Sequence, residues 1–167
     1  MTQPARKSIG ISAIATYEPT WVLANEWFGS GMARKFVHHT GIEARGVSSQ
    51  DEVTMAAAAV ENLQRRTGCD LRDCRGVVFV SPSFVPLEIA NRYMDPREAR
   101  GERLGRAARQ LTRKLGVPAC PSYGVNWFCS GYARALAAVR RRFVLESTLG
   151  LNEFVLVVVS TRISRIT

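Results

Sequence analysis

The sequence has few lysines, no long apolar run and no segment typical of a secretory signal, and from the last two absences we expect neither a membrane-spanning nor a secreted protein. The 167 residues contain only three lysines, so the formal net charge of +9 comes almost entirely from arginine. No apolar run is longer than six residues, as at 154–159, whereas a membrane-spanning helix needs about 20. The apolar stretch at 9–15 is too short and too interrupted for the hydrophobic core of a secretory signal.

Cysteine and histidine are also sparse. The four cysteines form no Cys-x-x-Cys pair, and His38 and His39 are adjacent rather than spaced as zinc ligands. We therefore expect no metal site, and a reducing, cytoplasmic location is the simplest interpretation. The hydrophobic fraction of 46% and the charged fraction of 22% exclude a disordered chain and allow one domain with a substantial core.

Strand and helix patterns alternate along the chain, as they do in α/β proteins. Runs rich in β-branched residues predict strands buried on both faces, and amphipathic spacing predicts the helices that cover them. The predicted strands are 8–15, 76–80, 123–127 and 154–159, and the predicted helices are 51–66, 101–115 and 129–145. We predict one α/β domain over residues 1–167, with a parallel or mixed sheet covered by helices on both faces. A charged excursion or insertion is expected at 87–103.

Cys129 is the strongest candidate for chemistry. It follows a predicted buried strand and opens a predicted amphipathic helix. Amide N–H groups at a helix N-terminus stabilise an anion, so they favour the thiolate form of a cysteine placed there. Ser130 and Gly131 follow and let a substrate come close to the sulfur. The pattern favours a nucleophile that forms an acyl thioester, and a small buried hydrophobic residue is the alternative.

Four stretches occur in an order that is typical of one family. They are the turn Tyr17-Glu18-Pro19, the segment HTGIEAR at 39–45, Glu52 with Thr54-Met55 and an alanine run, and FCSGYA at 128–133 with Leu136. The second resembles the motif RTGI-x-x-R, and the last resembles the nucleophile motif A-C-S-G-F-x-x-A-L. Together they resemble the N-terminal half of a β-ketoacyl-acyl carrier protein synthase III, a member of the thiolase-like superfamily, over essentially the whole chain.

This resemblance implies a thiolase-like half and an acyltransferase activity. Cys129 would take an acyl group from an acyl-coenzyme A or acyl-carrier-protein thioester, and a malonyl-type thioester would then condense with it by decarboxylative Claisen chemistry. No tightly bound cofactor is implied. The family's catalytic His and Asn belong to its C-terminal half, which these 167 residues do not resemble. Complete catalysis would then need a second polypeptide or a continuation of this chain. Because an isolated thiolase-type half would expose a large apolar face, we also expect a homodimer or a complex with a chain that supplies the C-terminal half.

The resemblance also implies substrate-binding residues. Phe84 and Val85 lie in the loop 81–89, which in the family reaches across a homodimer and lines the partner's acyl pocket. His39 lies in the segment that resembles the cofactor entrance, and Lys35 stands where many relatives carry an adenine-stacking tryptophan. The resemblance therefore implies two replacements, Lys35 for the tryptophan and His39 for the arginine of RTGI-x-x-R. Both favour a donor in which the acyl group is bound to a carrier protein rather than to coenzyme A. The alternatives are that Phe84 packs its own core and that His39 is an ordinary exposed imidazole.

Arginines recur from 97 to 113, and Arg106, Arg109 and Arg113 align best on one helical face. A solvated surface is the common meaning of such a run, and a docking surface for an acidic carrier protein is the second. A nucleic-acid module has little support, because no aromatic residues or reading motif accompany the arginines. A non-catalytic structural half or assembly partner, which keeps the cysteine motif by descent, is the main alternative to the acyltransferase hypothesis.

Overall fold

Two separate sheets and four α-helices make up the part of the chain described by the computed structural model, which covers residues 10–81, 96–125, 130–145, 149–150 and 152–160. The strands are β1 (Trp21–Ala24), β2 (Ala44–Val47), β3 (Cys74–Val80), β4 (Ser122–Val125) and β5 (Phe154–Val159). The helices are α1 (Ser30–Thr40), α2 (Glu52–Thr67), α3 (Pro96–Lys114) and α4 (Gly131–Val139). Short 3-10 turns at Asn25–Phe28 and Leu71–Asp73 precede α1 and β3.

The smaller sheet is an antiparallel pair of β1 and β2, in which Trp21 lies opposite Val47. Asn25, which is 2% exposed, follows β1 and its backbone N–H donates to Glu43 O at 3.0 Å. Its side-chain amide also donates to Ile42 O. These bonds fasten the start of the 3-10 turn to the chain entering β2. The sequence patterns did not identify this pair, because four-residue strands are too short to show a period.

The segment 10–15, expected to belong to a strand, has no regular secondary structure. Instead of pairing with a sheet, it and its continuation are held by side chains of α2. Asn62 Nδ2 donates to Thr16 O at 2.8 Å, and Arg66 donates to Ile14 O at 3.2 Å. The strand prediction was wrong over 10–15 because polar groups of a neighbouring helix replace the hydrogen bonds that a strand partner would supply.

The larger sheet has the strand order β4-β3-β5, and all its pairs are parallel. The central strand β3 is bonded on both sides, with Val78 opposite Tyr123 on β4 and Val157 on β5. Arg75 Nε donates to Glu153 Oε1 at 2.7 Å just before β5, which lowers the pKa of the Glu153 carboxyl and raises the pKa of the guanidinium. Parallel neighbours need long crossovers, and α3 and α4 occupy them.

Both faces of the larger sheet are covered by helices. Alternate residues of β3 point to opposite faces, so Val77 and Phe79 join one cluster and Val78 and Val80 join another. The first cluster lies under α2 and α3, and the second lies under α4 and the π-helical segment Arg140–Leu145. The predicted α/β class, with helices on both faces, is confirmed. Parallel and antiparallel pairing are both present, in two sheets.

Helix boundaries follow their capping residues. Asp51 caps α2, accepting from the backbone N–H of Thr54 at 2.7 Å, and Gly68 ends the helix in the left-handed conformation. This confirms the helix predicted at 51–66. In α3, residues 96–103 form the opening turns, with Pro96 at the first helical position. Residues 87–95 of the expected insertion lie outside the described residues.

No helix among the described residues is long and apolar enough to cross a membrane. The longest, α3, has 19 residues and carries charged side chains along its length. This agrees with the absence of long apolar runs in the sequence.

Candidate functional site

The carboxyl ends of the parallel strands meet at one edge of the larger sheet. Ser81 follows β3, and its N–H donates to Val125 O at the end of β4 at 3.3 Å. Ser160 follows β5, and its N–H donates to Val80 O at 3.0 Å. Ligand sites of open α/β sheets lie at the carboxyl ends of the strands, so this edge is the candidate functional site.

Buried polar side chains converge at this edge. Glu52, the first residue of α2, is only 6% exposed, and Ser81 and Ser160 are buried beside it. Ser81 Oγ donates to Glu52 Oε1 at 3.2 Å, and Ser160 Oγ donates to the backbone carbonyl of Glu52 at 2.8 Å. The positive end of the α2 dipole also favours a carboxylate at this position. We call Glu52, Ser81 and Ser160 the polar edge cluster.

In the sequence, Glu52 stands out only as a member of the motif with Thr54 and Met55. Its burial could not be seen, because an acidic residue at the start of a helix is usually exposed. A signal was present nonetheless. Serines stand directly after the two most apolar strands, at 81 and 160, and buried hydroxyl groups require partners.

The start of α4 lies against the same edge. A Cβ on Gly131 would come within 2.8 Å of Val80 Cγ1, so only glycine allows α4 to begin this close to the end of β3. Ser130 is the N-cap residue of α4. The chain therefore leaves β4 at Val125 and enters α4 at Ser130 beside the polar edge cluster, and residues 126–129 connect these two points.

Cys129 itself, Phe84 and Val85 lie outside the described residues, so their roles stay predictions. His39 is described and lies in the last turn of α1, where it is exposed. Its ring contacts that of His38 edge to face, with 5.2 Å between centroids. In the same segment of the sequence, Arg45 places its guanidinium over the ring of Phe36, 4.5 Å from the centroid.

The arginine-rich face of α3 lies at the surface. Arg106, Arg109 and Arg113 are exposed, whereas Leu104, Ala107, Ala108 and Leu111 on the opposite face are buried. Lys114 at the end of α3 donates to Thr54 Oγ1 at 3.3 Å and ties the helix to the first turn of α2. The described part of α3 therefore has the amphipathic orientation expected from its sequence.

Two open grooves flank α2. One, of about 420 Å³, lies between the N-terminal segment and the middle of α2, and Tyr17, Glu61 and Arg65 line it. The other, of about 290 Å³, lies between the first turn of α2 and α3, and Glu52 and Gln110 are among its lining residues. Within the described ranges, no three His, Cys, Asp or Glu side chains come together as metal ligands would.

Comparisons with solved structures identify this architecture. Thirty-four chains match. The β-ketoacyl-[acyl carrier protein] synthase III of Thermus thermophilus matches with a TM-score of 0.58 and 22% identity, over 80% of this chain and 38% of that one. MvaS, solved in complex with 3-hydroxy-3-methylglutaryl coenzyme A, matches with a TM-score of 0.66 and 21% identity, over 95% of this chain and 35% of that one.

A priming β-ketosynthase of a polyketide biosynthetic pathway matches with a TM-score of 0.64 and 18% identity, over 97% of this chain and 44% of that one. No family model and no curated protein matches the sequence. The chain therefore spans between about a third and under half of the length of these three structures. Over that span, it has the fold of 3-oxoacyl-acyl carrier protein synthase III and related thiolase-like ketosynthases.

Proposed function

We propose that this chain is the Cys129-bearing component of a ketosynthase III-like acyltransferase of fatty acid or polyketide biosynthesis. Two observations support it. The fold matches condensing enzymes over most of the chain, and the sequence FCSGYA places a cysteine just before the N-terminus of α4. The observation that carries the proposal is the position of the cysteine motif within this fold. In the sequence, the motif falls between β4 and α4, and ligand sites of open α/β sheets lie at such strand-to-helix connections.

In the proposed reaction, the Cys129 thiolate attacks the carbonyl carbon of an acyl thioester. The carbonyl π electrons move to oxygen, and backbone N–H groups stabilise the resulting oxyanion. When the carbonyl forms again, the donor thiolate leaves and takes a proton, so the acyl group is now bonded to sulfur. A malonyl-type thioester then loses carbon dioxide, its carbanion attacks the acyl carbon, and Cys129 leaves with the new carbon–carbon bond formed.

The proposed donors are thioesters of an acyl carrier protein or of coenzyme A, with no tightly bound cofactor. The names of the matched structures include an acyl carrier protein synthase and a complex with a coenzyme A thioester. The net charge of +9 and the exposed Arg109 and Arg113 on α3 suit either acidic donor. Phe84, Val85 and His39 are proposed to contact the acyl group and the entrance of its channel.

In this proposal, the condensation step needs a second half, which either a second polypeptide or a continuation of this sequence supplies. The chain spans 35–44% of the three matched structures, and the resemblance places the family's His and Asn outside this sequence. We propose a homodimer or a complex with a chain that supplies the C-terminal half. Tyr132, Leu136 and Val159 support this, because they are 42%, 37% and 50% exposed although they are large and apolar.

A non-catalytic structural half is the second candidate. The same exposed apolar side chains favour it, because a chain whose task is assembly needs a contact surface and no activated thiol. The two candidates differ in the reactivity of Cys129, since an activated thiol becomes acylated and a structural one does not.

Intact mass spectrometry tests the acyltransferase proposal. We expect the chain, incubated with acetyl-coenzyme A or an acyl carrier protein thioester, to gain the mass of one acyl group. Cys129→Ala should abolish this adduct, and Cys69→Ala is the matched control that should retain it. An adduct that persists in Cys129→Ala, or no adduct from either donor, would reject the nucleophile role and leave the structural candidate.

A further inference from the structure

Two cysteines outside the proposed acyl site lie in contact. Cys74 is the first residue of β3, and Cys120 lies two residues before β4. Their sulfur atoms are 3.9 Å apart. Cys74 is 6% exposed, whereas Cys120 is half-buried. Nothing in the spacing of the sequence suggested this pair, because 45 residues separate the two positions along the chain.

The parallel pairing of β3 and β4 brings the two thiols together. Val77 N–H donates to Pro121 O at 2.9 Å, which fixes the chain next to Cys120 against β3. Cys120 Sγ donates to the carbonyl of Cys74 at 3.4 Å, and Cys74 Sγ donates to the carbonyl of Gly76 at 3.2 Å. Thiol-to-carbonyl hydrogen bonds hold both side chains in place, and the pairing of β3 with the segment at Pro121 keeps them adjacent.

Among the described residues, the pair lacks the further ligands of a structural metal site. A structural zinc ion takes four ligands, and no third His, Cys, Asp or Glu side chain joins the two thiols within the part of the chain that is described. Burial raises the pKa of Cys120 to about 12, with Cys74 adding to the rise and Arg75 opposing it. The raised pKa keeps the thiolate fraction of Cys120 small near neutral pH, so reaction of this thiol with an oxidant should be slow there and faster in alkaline solution.

We propose that Cys74 and Cys120 form an oxidation site that a peroxide converts into an intramolecular disulfide. The sulfurs need to approach by about 2 Å to reach bonding distance. Cys120, the more exposed thiol, loses its proton and attacks one peroxide oxygen, which gives a sulfenic acid and releases the other oxygen as water. The Cys74 sulfur then attacks the sulfenic sulfur, the S–S bond forms, and a second water leaves. Two thiols are oxidised and one peroxide is reduced.

The cross-link would lie at the amino ends of the strands, whereas Cys129 follows the carboxyl end of β4 in the sequence. Its formation is therefore independent of the proposed acyl transfer. The disulfide would close a long loop that contains most of β3 and all of α3. Closing a loop of this length restricts the unfolded chain and stabilises the fold. The pair thus gives the sheet a redox-dependent stability.

Peptide mapping after peroxide treatment of the full chain tests this site. Trypsin separates Cys69 from Cys74 at Arg72, and chymotrypsin cleavage after Tyr123 separates Cys120 from Cys129. We expect a cross-linked Cys74–Cys120 peptide, with the intact protein lighter by two hydrogen atoms. The rate should rise roughly tenfold per pH unit below the thiol pKa, because the attacking species is the thiolate. The oxidised protein should melt roughly 5–10 °C higher.

Two variants decide the outcome. Cys120→Ser should lose the cross-link and the shift in melting temperature, and Cys69→Ser, the matched control, should retain both. The proposal is overturned if Cys74 and Cys120 are recovered as separate peptides while the peroxide oxidises Cys69 or Cys129. It is also overturned if the cross-link forms only after denaturation, because the native sheet would then not be what brings the sulfurs together.

Discussion

At the scale of single residues, Glu52 is the least expected feature of the molecule. A buried carboxylate loses its hydration, and only hydrogen bonds and favourable dipoles offset that loss. Here the helix N-terminus and the Ser81 hydroxyl supply them, and Ser160 bonds the carbonyl of the same residue. Glu52 therefore links the first turn of α2 to the carboxyl ends of β3 and β5.

The first residue-scale prediction concerns this link. Glu52→Ala leaves the buried Ser81 hydroxyl without its acceptor, so the free energy of unfolding should fall by about 2 kcal/mol. Glu52→Gln keeps an oxygen at the same place and should cost less than half as much. Urea denaturation measures both. Glu61→Ala, at an exposed position of the same helix, is the control and should change little. Equal losses in Glu52→Ala and Glu61→Ala would contradict the role assigned to the polar edge cluster.

At the scale of elements, close packing of α3 on β4 depends on Gly124. A Cβ at this position would lie 2.5 and 2.7 Å from the backbone carbon and oxygen of Leu104, and backbone atoms cannot move aside as a flexible side chain can. Leu104 is 1% exposed at the centre of the first core cluster. The helix must therefore shift away from the strand to admit even a methyl group.

We expect Gly124→Ala to lower the free energy of unfolding by about 3 kcal/mol, because it overpacks this contact. Gly105→Ala, one residue after Leu104 on α3, is the matched control. Its Cβ would meet only the end of the Arg109 side chain at 3.5 Å, and alanine is the better helix former by about 1 kcal/mol. Chemical denaturation should thus give changes of opposite sign. If both variants lost a similar free energy of unfolding, the effect of Gly124→Ala could not be assigned to its contact with Leu104.

The sequence predicted elements well where the physical signal is local. The β-branched run 154–159 is β5 itself, and Asp51 and Gly68 mark the ends of α2 because caps act within a few residues. The prediction of secondary structure failed where contacts with residues distant in the sequence determine the conformation. Residues 10–15 look like a strand but lie against α2, and the helix expected to 145 becomes π-helical from Arg140. Phe143, within this π-helical segment, packs onto Gly76 of β3, 67 residues earlier in the chain.

The candidate site was predictable only in part for the same reason. The role of Cys129 is predicted from a strand-helix junction and a motif, both of which are local in sequence, and it stays a prediction because Cys129 lies outside the described residues. The polar edge cluster joins positions 52, 81 and 160, and the thiol pair joins 74 and 120. Such groupings exist only after three parallel strands have been aligned, and strand order leaves no mark on a single sequence.

At the scale of the whole molecule, the apolar face of α4 is only partly covered. On α4, Ala135 and Val139 are buried against the sheet, but Tyr132 and Leu136 on the same helix remain exposed. In the sequence, the four residues recur at helical spacing, which is typical of one apolar face. The described fold thus buries part of that apolar face and leaves Tyr132 and Leu136 exposed.

The last prediction concerns this face. We expect the purified chain to associate with a second copy, or with a chain that supplies the other half, through the surface formed by Tyr132 and Leu136. Leu136→Glu places a charge in the contact, so the association should weaken at least about tenfold, because burying an unpaired charge costs more than about 1.4 kcal/mol. Ala137→Glu adds the same charge at the next exposed position of α4 and should leave association unchanged. Sedimentation velocity over a concentration series measures the difference. A wild-type chain that stays monomeric both alone and with such a partner chain, or two variants that associate equally well, would show that this face is not the interface.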